Sequence, residues 1–103
     1  MTMHYTKVNW KHQNSYDPVQ IYSELDDAGW EVRRVEVFLD GSLDYASRSG
    51  SRGRTSLSPA TFSSLAEIVA NPEFEAAEIK KNEFEEKWLE AARRDSDPDK
   101  LSS

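Results

Sequence analysis

Residues 19–39, VQIYSELDDAGWEVRRVEVFL, decide the fold. From Val19 to Leu25 the pattern has the two-residue period of a strand, with Val19, Ile21 and Leu25 on one face and Gln20, Tyr22 and Glu24 on the other. Asp26-Asp27-Ala28-Gly29 supplies a short loop whose glycine can take positive φ without a Cβ clash, and WEVRRVEVFL follows at once. The two strands therefore form a hairpin. In the second, Trp30 and Val32 share one face whereas Val35, Val37 and Leu39 share the other, so the apolar side changes near Arg33-Arg34. Such a switch requires a bulge, or a sheet covered on both faces.

Working outward, YTKVNWKH at residues 5–12 alternates Val8 and Trp10 with Lys7, Asn9 and Lys11 and reads as a strand before the turn-rich QNSYDP. On the other side Asp40-Gly41 is a two-residue turn signal, followed by the alternating SLDYAS. A four-strand antiparallel meander results. SRSGSRGRTSLS at residues 47–58 has no hydrophobic period and reads as a mobile connection. A short helix is expected next, from the capping spacing of Ser64 with Glu67, the stripe of Leu65, Ile68 and Val69, and the stop at Pro72. EFEAAEIK reads as an edge strand burying Phe74 and Ile79.

The last helix carries a capping arrangement at Asn82 and Glu85, an apolar stripe of Phe84, Trp88, Ala91 and Ala92, and i,i+4 pairs Glu83–Lys87 and Glu90–Arg94. The expected fold is α+β: a four- to five-stranded, mainly antiparallel meander sheet with the C-terminal helix packed on one face and a short second helix. Residues 1–94 form a single domain, with a disordered polar tail over 95–103. Trp10, Trp30 and Trp88 are expected to share one core.

Composition narrows the function classes. The 103 residues are 37% hydrophobic and 31% charged with a net charge of −6, and after residue 60 six Lys/Arg stand against eleven Asp/Glu. An acidic field disfavours nucleic-acid phosphates and attracts basic partners, although it can equally do no more than keep a small domain soluble; a protein partner is expected and nucleic acid is not. There is no Cys, which excludes disulfides and Cys-containing zinc sites and suits a cytoplasmic location. No apolar run reaches the roughly 18 to 20 residues that span a bilayer, so no membrane association is expected.

Candidate chemistry is sparse. His4 and His12 are the only imidazoles and have no metal-ligand spacing, so neither metal nor cofactor is expected. His12, Tyr22, Glu24, Arg34 and Glu36 form a candidate polar cluster if their strand faces coincide, although cross-strand pairing alone accounts for such charges. Arg48, Arg52 and Arg54 among Gly and Ser resemble a phosphate-binding loop, but no Walker lysine accompanies them and a solvated loop explains them better. The candidate partner-binding residues are Asp26, Asp27 and Glu31 at the hairpin end, with Glu75, Glu78 and Glu86 in the acidic C-terminal part.

Tyr5-x-x-Val8-x-Trp10-x-His12, Tyr22-Ser23-Glu24-Leu25-Asp26, Trp30-Glu31-Val32-Arg33 and Asp40-Gly41 together resemble a family of small bacterial domains of unknown function. The resemblance continues through Pro72-Glu73-Phe74-Glu75 and Glu83-Phe84-Glu85-x-x-Trp88, with departures in the Ser/Gly/Arg loop and after Arg94. It implies no catalytic residue. It implies similarity in type to toxin-immunity proteins, an analogy that names a kind of function without a site. The expectation is a non-enzymatic, acidic partner-binding protein: an immunity or antitoxin protein that neutralises a basic toxin domain by direct binding. The alternatives are a small hydrolase or transferase using the His/Tyr/Glu/Arg cluster, and an adaptor or regulatory ligand-binding module.

Overall fold

Alternation of large apolar and polar residues does build strands here, and in the computed structural model they join into one sheet. The structure describes residues 2–52, 55–57 and 70–95. Within them β1 is His4–Trp10, β2 Gln20–Leu25, β3 Glu31–Val37, β4 Leu43–Ser47, β5 Gly50–Arg52 and β6 Phe74–Ile79, followed by helix α1, Lys81–Asp95. The order across the sheet is β5-β4-β3-β2-β1-β6, every neighbouring pair antiparallel.

The expected α+β class and antiparallel meander are present, but the described sheet has six strands rather than four or five. The additional strand is β5, inside the Ser/Gly/Arg-rich stretch expected to be a mobile connection. There, backbone pairing of Ala46 with Ser51 and Tyr45 with Arg52 needs no hydrophobic period, which is why composition hid it. The short helix expected around Ser64 to Asn71 lies almost wholly at positions outside the described residues, as do residues 96–103 of the expected tail.

Turn chemistry sets the meander. Gly29 and Gly41 have φ of 89° and 85°, a region that costs glycine nothing, and they close the β2–β3 and β3–β4 connections. The Gly29 amide donates to the Asp26 carbonyl and the Gly41 amide to the Phe38 carbonyl, at 3.0 and 2.9 Å. The irregularity expected in β3 is a register shift: Glu24 pairs with Arg33, yet Leu25 pairs with Glu31. Val32 is therefore the extra residue of a bulge.

The register sorts residues onto two faces. Tyr5, Tyr22, Val35 and Leu43 share the face on which α1 packs, where they form the core with Phe84 and Ala91. The core side of β2 is thus the face of Tyr22 and Glu24. Trp88 lies against this cluster, edge-on to Tyr45 with ring centroids 5.1 Å apart. The three tryptophans do not share it: Trp10 packs on Phe74 and His12 at the β1–β6 end, and Trp30, just before β3, is 44% exposed. The helix stripe is as expected, but Lys87 bonds Glu90 rather than Glu83, and the Arg94 side chain of the other expected pair lies outside the described residues.

Phe84 is fully buried whereas Leu89 on the same helix is 54% exposed. Phe84→Ala should destabilise the domain by about 3 to 5 kcal/mol in urea unfolding, because it opens a cavity at the helix–sheet contact. Leu89→Ala should stay within about 0.5 kcal/mol of the parent. Equal losses at the two positions would mean that α1 packs through a different face.

Candidate functional site

A carboxylate on the core face of a sheet needs a cation opposite it, and the register provides one: Glu24 pairs with Arg33 across β2 and β3. The guanidinium donates from Nε to Glu24 Oε1 at 2.6 Å and from Nη2 to Oε2 at 2.9 Å, a two-point fork. Tyr5 donates its hydroxyl to Glu24 Oε2 at 2.9 Å, and Arg33 also donates to Glu85 of α1. The Arg33 guanidinium carbon lies 4.9 Å from the Phe84 ring centroid and 5.0 Å from that of Trp88. One cation thus binds sheet and helix together.

Burial pushes the Glu24 carboxyl up, but the bonds from Arg33 and Tyr5 outweigh it and hold the group below the usual carboxylate value. Burial, the hydrogen bond to Glu24 and the Glu24 charge push the Tyr5 phenol up to about 12, so it remains a donor at neutral pH. Arg33 is held further above its usual value, chiefly by its bonds to Glu24.

The candidate polar cluster does not assemble. Tyr22 and Glu24 lie on the α1 face, while Arg34 and Glu36 lie on the opposite one. There Arg34 donates to Glu36 at 2.7 and 3.1 Å and approaches Glu31 at 3.5 Å, and Ser23 donates to Glu31 at 2.7 Å. His12 sits past the end of β1, its Nε2 2.8 Å from the Pro18 carbonyl and its Nδ1 accepting from the Asn14 amide. The ring holds the β1–β2 connection. Among the described residues no group of three or more His, Cys, Asp or Glu is arranged to hold a metal ion.

The candidate partner-binding acids divide as well. Glu31 is buried and bonded to Ser23, which removes it from the accessible surface. Asp26 Oδ1 accepts from the amides of Ala28 and Trp30 at 3.0 and 2.9 Å, and Oδ2 from Arg48 at 3.2 Å. The Trp30 amide bond, working against partial desolvation, holds the Asp26 carboxyl below its usual value, helped by Ala28 and Arg48. Asp27 remains exposed beside His4, at 3.7 Å. Glu75 pairs with Lys11 at 2.7 Å, and Glu78 and Glu86 are exposed; Glu75 and Glu78 lie on opposite faces of β6.

Sequence reasoning missed Tyr5, Arg33, Glu85 and the exposed Trp30. The available signal was Glu24 on the face of Tyr22: a carboxylate there demands a cross-strand cation, and Arg33 alternates with Arg34 to supply it. Glu85 has the spacing of a capping box with Asn82 but turns to Arg33 instead, because α1 begins at Lys81.

The sign of the pH dependence follows from Glu24. Its folded value lies below the unfolded one of about 4.3, so the unfolded chain takes up the proton first. The stabilisation is complete above about pH 4.3 and is lost as pH falls through the folded value. Tyr5 acts at the other end: its contribution is complete below about pH 10 and is lost as pH rises through about 12. Glu24→Gln should cost about 3 kcal/mol at neutral pH and flatten both limbs of a stability–pH profile measured by urea unfolding. An unchanged acid limb would place the controlling carboxylate elsewhere.

No curated protein and no solved structure matches the chain. A family model described as a domain of unknown function, DUF6881, matches residues 4–93, from the first residue of β1 into the last turn of α1. With all the described strands inside that match, the chain belongs to the DUF6881 family of domains of unknown function.

Proposed function

We propose that this protein is a binding protein of the immunity type, which neutralises a basic bacterial toxin domain by direct contact through the tip of its β2–β3 hairpin. The observation that carries this reading is Trp30, 44% exposed on a connection whose backbone Asp26 clamps by two amide bonds. A large aromatic held in place before binding loses little entropy when it docks, and Trp is among the residues that most often anchor interfaces. Exposed Asp27 beside it favours a cationic partner. The net charge of −6, with exposed Glu75, Glu78 and Glu86, supplies a long-range field that steers such a partner in.

The hydrolase or transferase alternative receives no comparable support, since His12, Tyr22, Glu24 and Arg34 do not converge and the polar atoms of His12, Glu24 and Arg34 are engaged in packing bonds. In the cytoplasm of a bacterial host the expected partner is a toxic domain encoded beside this chain.

Anchor and steering residues predict different kinetics. Against the product of the adjacent toxin-type reading frame, Trp30→Ala should cost about 2 kcal/mol or more, expressed as faster dissociation. Joint reversal of Glu75, Glu78 and Glu86 to Lys should slow association and weaken its salt dependence while circular dichroism stays unchanged. Co-expression should rescue growth with the parent chain and fail with Trp30→Ala. If the parent chain neither binds that product nor protects the cell, the immunity reading is wrong.

A further inference from the structure

The two outer strands of the described sheet are unlike one another. β5 has three residues, which blunts that edge, whereas β6 has six. Sheet edges are commonly guarded by charged side chains, Pro or a bulge; Phe74–Ile79 carries Glu75 and Glu78 but neither Pro nor Lys, and pairs with β1 without a register shift. The Lys11 amide donates to the Glu73 carbonyl at 2.8 Å, which makes Lys11 and Glu73 a hydrogen-bonded pair. Antiparallel alternation then turns the backbone groups of Glu75, Ala77 and Ile79 toward β1 and those of Ala76 and Glu78 away from the sheet. α1 packs over β1 to β4, toward the other side of the molecule.

The charges around this edge are ordered along the chain. Glu73 and Glu75 stand at its beginning, Glu78 near its end, and Lys80 and Lys81 beyond it. The acidic start and the basic flank are complementary to those of an antiparallel copy, provided that Glu78 is not set against another carboxylate.

We propose that β6 is a self-association edge, at which a second copy of this chain pairs antiparallel about a two-fold axis through Ala77 and continues the sheet. In this register Ala76 and Glu78 exchange backbone hydrogen bonds with Glu78 and Ala76 of the second copy. Ala77 faces its own equivalent, Glu75 faces Ile79, and Glu73 falls across from Lys81. No like charges stand directly opposite. A two-fold centred on Glu78 would oppose two carboxylates. One centred on Ala76 would require the Phe74 amide, which already donates to the Asn71 carbonyl at 3.0 Å. The contact is small for a permanent dimer, so association is concentration-dependent.

Sedimentation equilibrium of the full chain from about 10 μM to 1 mM tests this, the upper limit matching a weak millimolar association. Ala76→Pro removes an outward-facing N–H without touching the ladder to β1, and should weaken dimerisation at least about tenfold with an unchanged circular dichroism spectrum. Independently, the charge variants Glu73→Lys/Glu75→Lys and Lys80→Glu/Lys81→Glu should each remain monomeric alone and form a mixed dimer when combined. A monomer throughout the range would overturn the proposal. So would a dimer indifferent to both Ala76→Pro and the charge exchange, since its interface would lie elsewhere.

Discussion

The ion pair between Glu24 and Arg33 is the constraint on which the rest of the architecture depends. A carboxylate beneath a helix is tolerable only when its charge and lone pairs are satisfied, and Arg33 with Tyr5 satisfies them at bonding distance. That requirement fixes the β2–β3 register, because shifting either strand by one residue would carry the two partners to opposite faces. The same guanidinium then receives Glu85 and lies against Phe84 and Trp88, so the seat of α1 is specified by a cation as well as by apolar packing. A helix held only by a greasy stripe could slide by a turn; in this one a slide would also break the contact of Glu85 with Arg33.

The bulge at Val32 is the local consequence. Pairing Glu24 with Arg33 while Leu25 meets Glu31 leaves one extra residue on β3, and the twist it introduces accompanies the exposure of Trp30 at the hairpin tip. Core stability and surface display are therefore linked through one irregularity. Asp26 completes the link by clamping the connection from the other side.

Much of this was legible in the residues. The hairpin from Val19 to Leu39, its turn at Gly29, the turn at Gly41 and the apolar stripe of α1 each follow from periodicity and turn chemistry that act locally, whereas the edge strand at Phe74–Ile79 has no clean period. What escaped depends on information that periodicity lacks. β5 forms through backbone pairing with β4 in a stretch without apolar alternation. The direction of the core on β2 is set by a partner nine residues away in sequence, Arg33, and by Glu85 in the last helix. The candidate cluster of His12, Tyr22, Glu24, Arg34 and Glu36 failed to form because faces that match in parity on separate strands coincide only when the register makes them do so. Glu31, a candidate for partner contact by its place at the hairpin end, turns inward beside the bulge to Ser23.

The central claim is that Glu24 and Arg33 act as a unit, and a double-mutant cycle measures that most directly. Urea unfolding of the parent, Glu24→Gln, Arg33→Met and the double variant at neutral pH yields the coupling energy. Strong non-additivity is expected, with a coupling of about 2 to 3 kcal/mol and a double variant no less stable than the worse single one. Losses that add to within about 0.5 kcal/mol would contradict it, and would reduce the pair to two independent neighbours.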